Sequence, residues 1–249
     1  MRTSLLAAGA LAALALASSP AAAAAQGRWV AAYPAVRNPD YVGLQQNFAQ
    51  QNPLRNMVDP LNEYFPVPTE VTVEMAECGR AGAFYDHTRP AVQLCYELFA
   101  RLAEALIDKE SGDDERFIGA FGLILLHQVG HAFIDQMELP VDVPIEEAAD
   151  QFVAVMVGNG GGELQTVASG VLALNEMQTD WENPASGYPA LRGRRLQNLL
   201  CLLYGTDPGA HQWLVEDGHL PAARAAGCPA HYQEVSAGWE NMLEEHVQG

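Results

Sequence analysis

The chain has 249 residues, of which 49% are hydrophobic and 18% charged, and its 13 basic and 31 acidic residues give a formal net charge of −18. Such an acidic surface repels nucleic acid and anionic membranes, so we expect neither as a partner. The length is sufficient for one sizeable hydrophobic core or two small ones.

The N-terminal segment has the three parts of a secretory signal peptide in the right order. Arg2 supplies a short positive region, residues 5–17 are apolar, and the Ala-rich positions up to Ala25 offer cleavage sites. The apolar part is too short to span a membrane. We therefore predict that residues 1–25 are a signal peptide and that residues 26–249 form a single domain, secreted or periplasmic.

No later segment predicts a membrane span. The closest is residues 118–134, which include two histidines and a glutamine. These polar side chains favour a buried core helix over a helix that crosses a bilayer.

The first half of the mature chain mixes short helices with strands. We predict a helix around residues 44–50 and a second over residues 54–65. The segment VTVEM, residues 71–75, alternates along the chain and is rich in β-branched side chains, which is typical of a strand. AVQLCY, residues 91–96, is predicted to be its hairpin partner, with residues 79–90 turning between them.

The second half is predicted to be helical. Leu98, Leu102 and Leu106 repeat at helical spacing in a helix over residues 97–109. Further helices are predicted at residues 116–137, 145–157, 163–178, 189–204 and 229–246, with loops at 158–163 and 182–189. The predicted fold class is α+β, mostly helical, with a small sheet near the N-terminal side.

Four cysteines in an exported chain indicate two disulfides, and four cysteines allow three pairings. Proximity along the chain favours Cys78–Cys95 and Cys201–Cys228. The alternative is a zinc site built from these cysteines, but the chain has no C-x-x-C spacing to support it.

The segment LLHQVGH, residues 125–131, places His127 and His131 four positions apart. On a helix these side chains project from one face within about 40° of each other, so both can reach one metal ion. The usual form of this motif is H-E-x-x-H, in which the glutamate acts as general base, but here that position holds Gln128. Two histidines satisfied in a protein core are the alternative interpretation.

The next predicted helix begins with PIEEAAD and supplies Glu146 and Asp150, again four positions apart. A catalytic zinc site needs a third protein ligand and an open position, and Glu146 can be that ligand. Asp150 could accept a hydrogen bond from His127 or His131 and so fix its tautomer. Glu147 is the competing ligand, and a pair of acids on a solvated helix face is the alternative.

The sequence resembles a family of zinc metallopeptidases of exported bacterial proteins. The blocks that carry the resemblance span most of the mature chain, in the family's order: CGRAGAFYD, LCYEL, LLHQVGHAFID, EEAADQF, NLLCLLYGTDP and CPAHYQEVSAGWE. The resemblance implies a zincin-like (gluzincin-like) domain with a two-helix metal site. It also implies His127, His131 and Glu146 as zinc ligands, Asp150 behind them, and the two disulfides favoured by proximity.

The chain departs from the family's pattern at the residue that does the chemistry. The family has glutamate where this chain has Gln128. A carboxylate there would accept a proton and pass it to the leaving amine, which an amide cannot do. A second departure is Tyr188, where relatives often carry histidine, although a tyrosine can still donate a hydrogen bond to a tetrahedral intermediate. Asp135 and Glu138 lie further along the histidine helix, and neither is an evident replacement base.

The sequence therefore predicts a secreted zinc-metallopeptidase-like protein whose peptide hydrolysis is weak or absent. The alternative is an inactive pseudopeptidase that binds a peptide or protein partner, or a protein that keeps the metal only for structure. Other hydrolase and nucleotide motifs are not found: there is no G-x-S-x-G, and GNGGGE at residues 158–163 lacks the Lys-Ser/Thr ending of a phosphate loop.

Overall fold

The structure, a computed structural model, describes residues 27–107, 114–160, 166–177 and 193–247. In these ranges the chain forms a four-stranded sheet and a larger set of helices, which confirms the predicted α+β class with mostly helical content. The predicted signal peptide (residues 1–25) and Tyr188 lie outside the described residues.

The sheet contains β1 (Trp29–Ala32), β2 (Val71–Ala76), β3 (Ala83–Asp86) and β4 (Ala91–Cys95) in the spatial order β1-β2-β4-β3. β1 is parallel to β2, β2 is parallel to β4, and β3 is the antiparallel edge strand beside β4. The two central strands, β2 and β4, are buried at nearly every position. Burial on both faces is typical of parallel strands, which are covered on each side by other elements.

The predicted hairpin between residues 71–75 and 91–96 is wrong, although both segments are strands. They pair in parallel, with Val73 opposite Val92. Residues 83–86 of the predicted turn form β3, which makes the actual hairpin with β4. The four residues of β3, AFYD, do not alternate between apolar and polar side chains, so β3 was missed, and with it the parallel pairing of β2 with β4.

The helices of the first half are α1 (Pro39–Gln51), α2 (Arg55–Val58), α3 (Leu61–Tyr64) and α4 (Tyr96–Leu106). The helices of the second half are α5 (Glu115–Gln136), α6 (Ile145–Asn159), α7 (Val167–Glu176), α8 (Gly193–Thr206), α9 (Trp213–Glu216), α10 (Ala222–Ala225) and α11 (Cys228–Val247). The helix predicted over residues 54–65 is divided at Pro60 into α2 and α3.

Helix α5 is the centre of the helical layer, as predicted for a buried core helix. It is long and apolar enough to cross a membrane, but 78% of its apolar window is buried inside the protein. Its closest neighbour is α7: a Cβ atom added to Gly170 would lie 2.0 Å from the carbonyl carbon of Gly119. The two glycines therefore allow the backbones of α5 and α7 to touch.

Both predicted disulfides are formed. Cys78–Cys95 links the carboxyl ends of the parallel strands β2 and β4, since Ala76 pairs with Cys95 in the sheet. Cys201–Cys228 links α8 to the first residue of α11. Helix α8 in turn packs on α6, which packs on α5, so α8 is connected through α6 to a helix that comes much earlier in the chain.

Candidate metal centre

The centre lies where α5 and α6 approach each other. Gly130 makes this approach possible, because a Cβ atom added there would lie 3.1 Å from Cδ1 of Phe152 and 3.3 Å from Cα of Ala149. The apolar sequence of α5 buries almost the whole circumference of the helix, so that the His127 side chain is fully inaccessible to solvent. The histidines thus project from a buried helix towards the first turns of α6.

The ligand atoms of His127, His131 and Glu146 lie within 4.8 Å of one another. The Nε2 atoms of the histidines are 3.1 Å apart, and the Glu146 carboxylate oxygens lie 3.1 Å from His127 Nε2 and 3.5 Å from His131 Nε2. Two ligand atoms that are each about 2.1 Å from a tetrahedral ion are about 3.4 Å apart. The three side chains therefore fit around one metal ion.

The hydrogen bond between His127 and Asp150 shows which nitrogen of the imidazole faces the centre. Nδ1 of His127 lies 3.0 Å from Oδ1 of Asp150, so the neutral ring donates its proton there. Its Nε2 lone pair then faces a Glu146 oxygen at 3.1 Å, and two acceptors at that distance repel each other. A cation between them, either a proton or a metal ion, removes the repulsion.

The pKa shifts agree with this need for positive charge. Burial alone would lower the pKa of His127, but hydrogen bonds to Asp150 and Glu146 raise it above its usual value. Burial would raise the pKa of Glu146, but hydrogen bonds from His127 and His131 bring it well below its usual range. The carboxylate is therefore ionised and available as a ligand.

Arg195 on α8 belongs to the centre and was not predicted from the sequence. Its Nε donates to Oδ2 of Asp150 at 2.6 Å, and one Nη donates to Oδ1 at 2.8 Å. The same Nη lies 3.9 Å from a Glu146 oxygen. Burial opposes the ionised form of Asp150, but the hydrogen bonds from His127 and Arg195 keep its pKa below the usual value. The Arg-Arg pair in GRRLQ is the signal that could have drawn attention to this residue.

Gln128 is 2% exposed and follows His127 on the buried helix. Two of the residues considered as replacement bases lie elsewhere: Asp135 accepts a hydrogen bond from the Tyr85 hydroxyl at 2.6 Å, and Glu138 lies beyond the end of α5 with φ of 49°. Glu147 is not one of the grouped ligands, which favours Glu146 as the third ligand. Tyr188 lies outside the described residues.

A second group of metal-ligand atoms in the described residues consists of Cys78, Cys95 and Glu97. The two cysteines form a disulfide, so neither sulfur is a thiolate. The Glu97 carboxylate accepts hydrogen bonds from the backbone N–H groups of Cys78 and Gly79. This group stabilises the end of the sheet and is not a metal site.

A family model, DUF4344, described as “Putative metallopeptidase”, matches residues 33–243. A search of the curated proteins and a search of the solved structures each returned no significant match. The matched range contains all four cysteines and every residue of the centre described above.

Proposed function

The chain belongs to this “Putative metallopeptidase” family, and on that premise we propose that it is a secreted, zincin-like protein with one zinc ion at His127, His131 and Glu146. The observation that carries the proposal is the convergence of these three side chains from α5 and α6. Two imidazoles and one carboxylate are a common ligand set for zinc in hydrolases. When bound, zinc would polarise the scissile carbonyl and favour ionisation of water.

Each residue behind the ligands has a distinct task in this proposal. Asp150 holds the His127 ring in the orientation that points Nε2 at the centre. Arg195 holds Asp150 with two hydrogen bonds and compensates its buried charge. This chain of contacts orients the ligands without touching a substrate.

We propose that peptide hydrolysis by this site is weak or absent, because Gln128 stands where the family's pattern has glutamate. An amide of the same size can hydrogen-bond a water molecule, but it cannot accept the water's proton. The other carboxylates of the centre, Glu146 and Asp150, both face His127 and are engaged there. General-base catalysis typically contributes about 10²- to 10⁴-fold, and we expect most of that factor to be missing.

A second candidate function is a pseudopeptidase that binds a peptide or protein partner without cutting it. What favours it is that the three ligands and the Asp150–Arg195 pair are intact although the base is replaced. The Glu146 side chain is 38% exposed, so the centre is open on that side. A purely structural zinc is usually enclosed by four protein ligands, so this openness favours peptide access over a structural role.

Secretion is part of the proposal as well. Two disulfides fit an oxidising, extracellular environment. The signal peptide at residues 1–25 remains a sequence-based prediction, and its test is N-terminal sequencing of the exported protein.

Elemental analysis of the purified mature protein tests the metal centre directly. We expect about one zinc per chain in the wild type and less than about a tenth of that in His131→Ala. The matched control is His87→Ala, at an exposed histidine on the β3–β4 turn, which should keep full zinc content. Equal, near-zero zinc in all three proteins would overturn the proposal.

A further inference from the structure

A pocket beside the metal centre has no role in the function proposed above. It is a cavity of about 200 Å³ between α6, α8 and the start of α11, and Glu146 and Asp150 form part of its wall. Drug-sized ligands usually occupy about 300–1,000 Å³, so this side pocket suits a group the size of one amino-acid residue. Any group inside it lies next to the metal ligand Glu146.

Three of the six residues that line the side pocket and can carry charge have partners of opposite charge or face a partner. Arg195 is paired with Asp150, and Glu146 faces the two histidines. The remaining lining residues that can carry charge are Glu147 on α6, Arg194 on α8 and His231 on α11.

The guanidinium of Arg194 differs from those of many other arginines in the described chain, because it has no hydrogen bond or ion pair with another described residue. Five other arginines of the described chain have a carboxylate partner: Arg28, Arg55, Arg89, Arg116 and Arg195. An arginine that lines a pocket and has no carboxylate partner among the described residues can pair with the carboxylate of a ligand.

Asn198 lies one helical turn after Arg194 and lines the same wall. Its carbonyl oxygen accepts a hydrogen bond from an Nη of Arg224 at 2.6 Å. This contact assigns the orientation of the amide, so that the Asn198 NH₂ group is left as a donor. The α8 wall therefore presents donors at two positions, a guanidinium and an amide, which suits the two oxygens of a carboxylate.

We propose that the side pocket binds a carboxylate of the peptide whose backbone occupies the metal centre, with Arg194 and Asn198 as its hydrogen-bond donors. This inference rests on the proposed peptide-binding function and adds a substrate class to it. The carboxylate is either the C-terminus of the peptide or an Asp or Glu side chain. Glu147 faces the pocket from α6 and opposes anion binding, so its negative charge limits the affinity.

The test uses the zinc-loaded full mature chain and four hexapeptides, with dissociation constants measured by calorimetry. The first pair shares one neutral sequence and differs in ending with a free carboxylate or an amide. The second pair is amidated and differs in one internal Glu or Gln. We expect about tenfold tighter binding of the carboxylate member in one pair, and that pair identifies the source of the carboxylate.

Three variants test whether the tighter binding of the carboxylate peptide comes from the side pocket. Arg194→Gln should abolish it, whereas Arg55→Gln, which removes the same charge from a surface ion pair with Asp59, should retain it. Glu147→Gln should increase it about two- to threefold, because a repulsive charge is lost. Equal binding within both pairs, or a preference that survives Arg194→Gln, overturns the proposal.

Zinc content is measured on the same samples, so the two proposals can fail separately. A protein without zinc contradicts the metal centre, whatever its peptide preference. A protein with full zinc and no carboxylate preference contradicts the side pocket alone.

Discussion

Oδ1 of Asp150 lies 3.0 Å from Nδ1 of His127, and both side chains are almost completely buried. A buried carboxylate next to a buried imidazole fixes both the ring orientation and the nitrogen that carries the proton. The other oxygen of Asp150 is held by Arg195. The orientation of the innermost histidine thus depends on residues from two other helices.

Replacing Asp150 by Asn should therefore weaken zinc binding about 10- to 100-fold, since the amide cannot accept from both His127 and Arg195 as a charged group does. A competitive chelator titration measures this affinity. Asp135→Asn is the matched control, because Asp135 is on the same face of α5 as the histidines but bonds Tyr85 instead. Unchanged affinity in Asp150→Asn would show that the contact does not orient the ligand.

Gln128→Glu should raise peptidase activity on an unstructured protein substrate by at least about 100-fold, with zinc content unchanged. The substitution adds only the ability to accept a proton. Both proteins come from one preparation procedure, and a chelator control excludes contaminating proteases. Robust chelator-sensitive cleavage by the unmodified protein would mean that another residue serves as base, and no gain on reversion would mean that the site is impaired beyond position 128.

Gly130→Ala should lower the free energy of unfolding by about 1–3 kcal/mol and also weaken zinc binding, because the added methyl group meets Phe152 and Ala149 and forces α6 away from α5. Gly122→Ala provides the comparison on the same helix. A Cβ atom there meets nothing closer than 4.0 Å, so this change should be neutral or stabilising by up to about 1 kcal/mol. Urea unfolding with a parallel zinc assay distinguishes the two, and equal effects would contradict the close α5–α6 contact.

Replacing Cys201 and Cys228 together by Ala should lower the free energy of unfolding by about 3.5 kcal/mol in the loop-entropy model, as expected for two cysteines 27 residues apart in sequence. Non-reducing peptide mapping of the wild type should find this disulfide and Cys78–Cys95. A peptide that links Cys78 to Cys201 would contradict the placement of α8.

We expect the buried His211 to contribute to the pH dependence of the free energy of unfolding. Its side chain is 1% exposed, and burial lowers its pKa in spite of the nearby Asp207. As the pH falls through the unfolded-state value of about 6.5, the unfolded chain takes up a proton that the folded chain does not. His211 therefore favours folding less at pH 5.5 than at pH 7.5. His211→Gln should reduce the loss of unfolding free energy between these pH values, and an identical loss in both proteins would contradict the buried, neutral histidine.

The sequence could bring the grouped residues His127, His131 and Glu146 to attention because their relation along each helix is local. Residues four apart on one helix share a face whatever the tertiary structure, so the pairs His127–His131 and Glu146–Asp150 followed from helical periodicity alone. The helix limits were predicted to within a few residues for α5 and α6, where apolar runs are long.

The missed features depend on contacts between distant segments. β2 and β4 are parallel because β3, which lies between them in the chain, pairs with β4 on the side away from β2. The four residues of β3 have no apolar–polar alternation from which this strand could be predicted. Arg195 reaches Asp150 from 45 positions away, and no local periodicity distinguishes it from its neighbour Arg194. Both features come from tertiary packing rather than from the properties of a segment.

The three side chains grouped at the candidate centre differ in depth, and this has a consequence for the path by which an ion would reach them. Among the described side chains, exposure falls from 38% at Glu146 to 15% at His131 and to zero at His127. A cation that entered from this side would meet the Glu146 carboxylate first and the His127 imidazole last, and it would leave in the reverse order. A chelator would therefore reach an ion in this centre from the Glu146 side, and His127 would be the last contact to break.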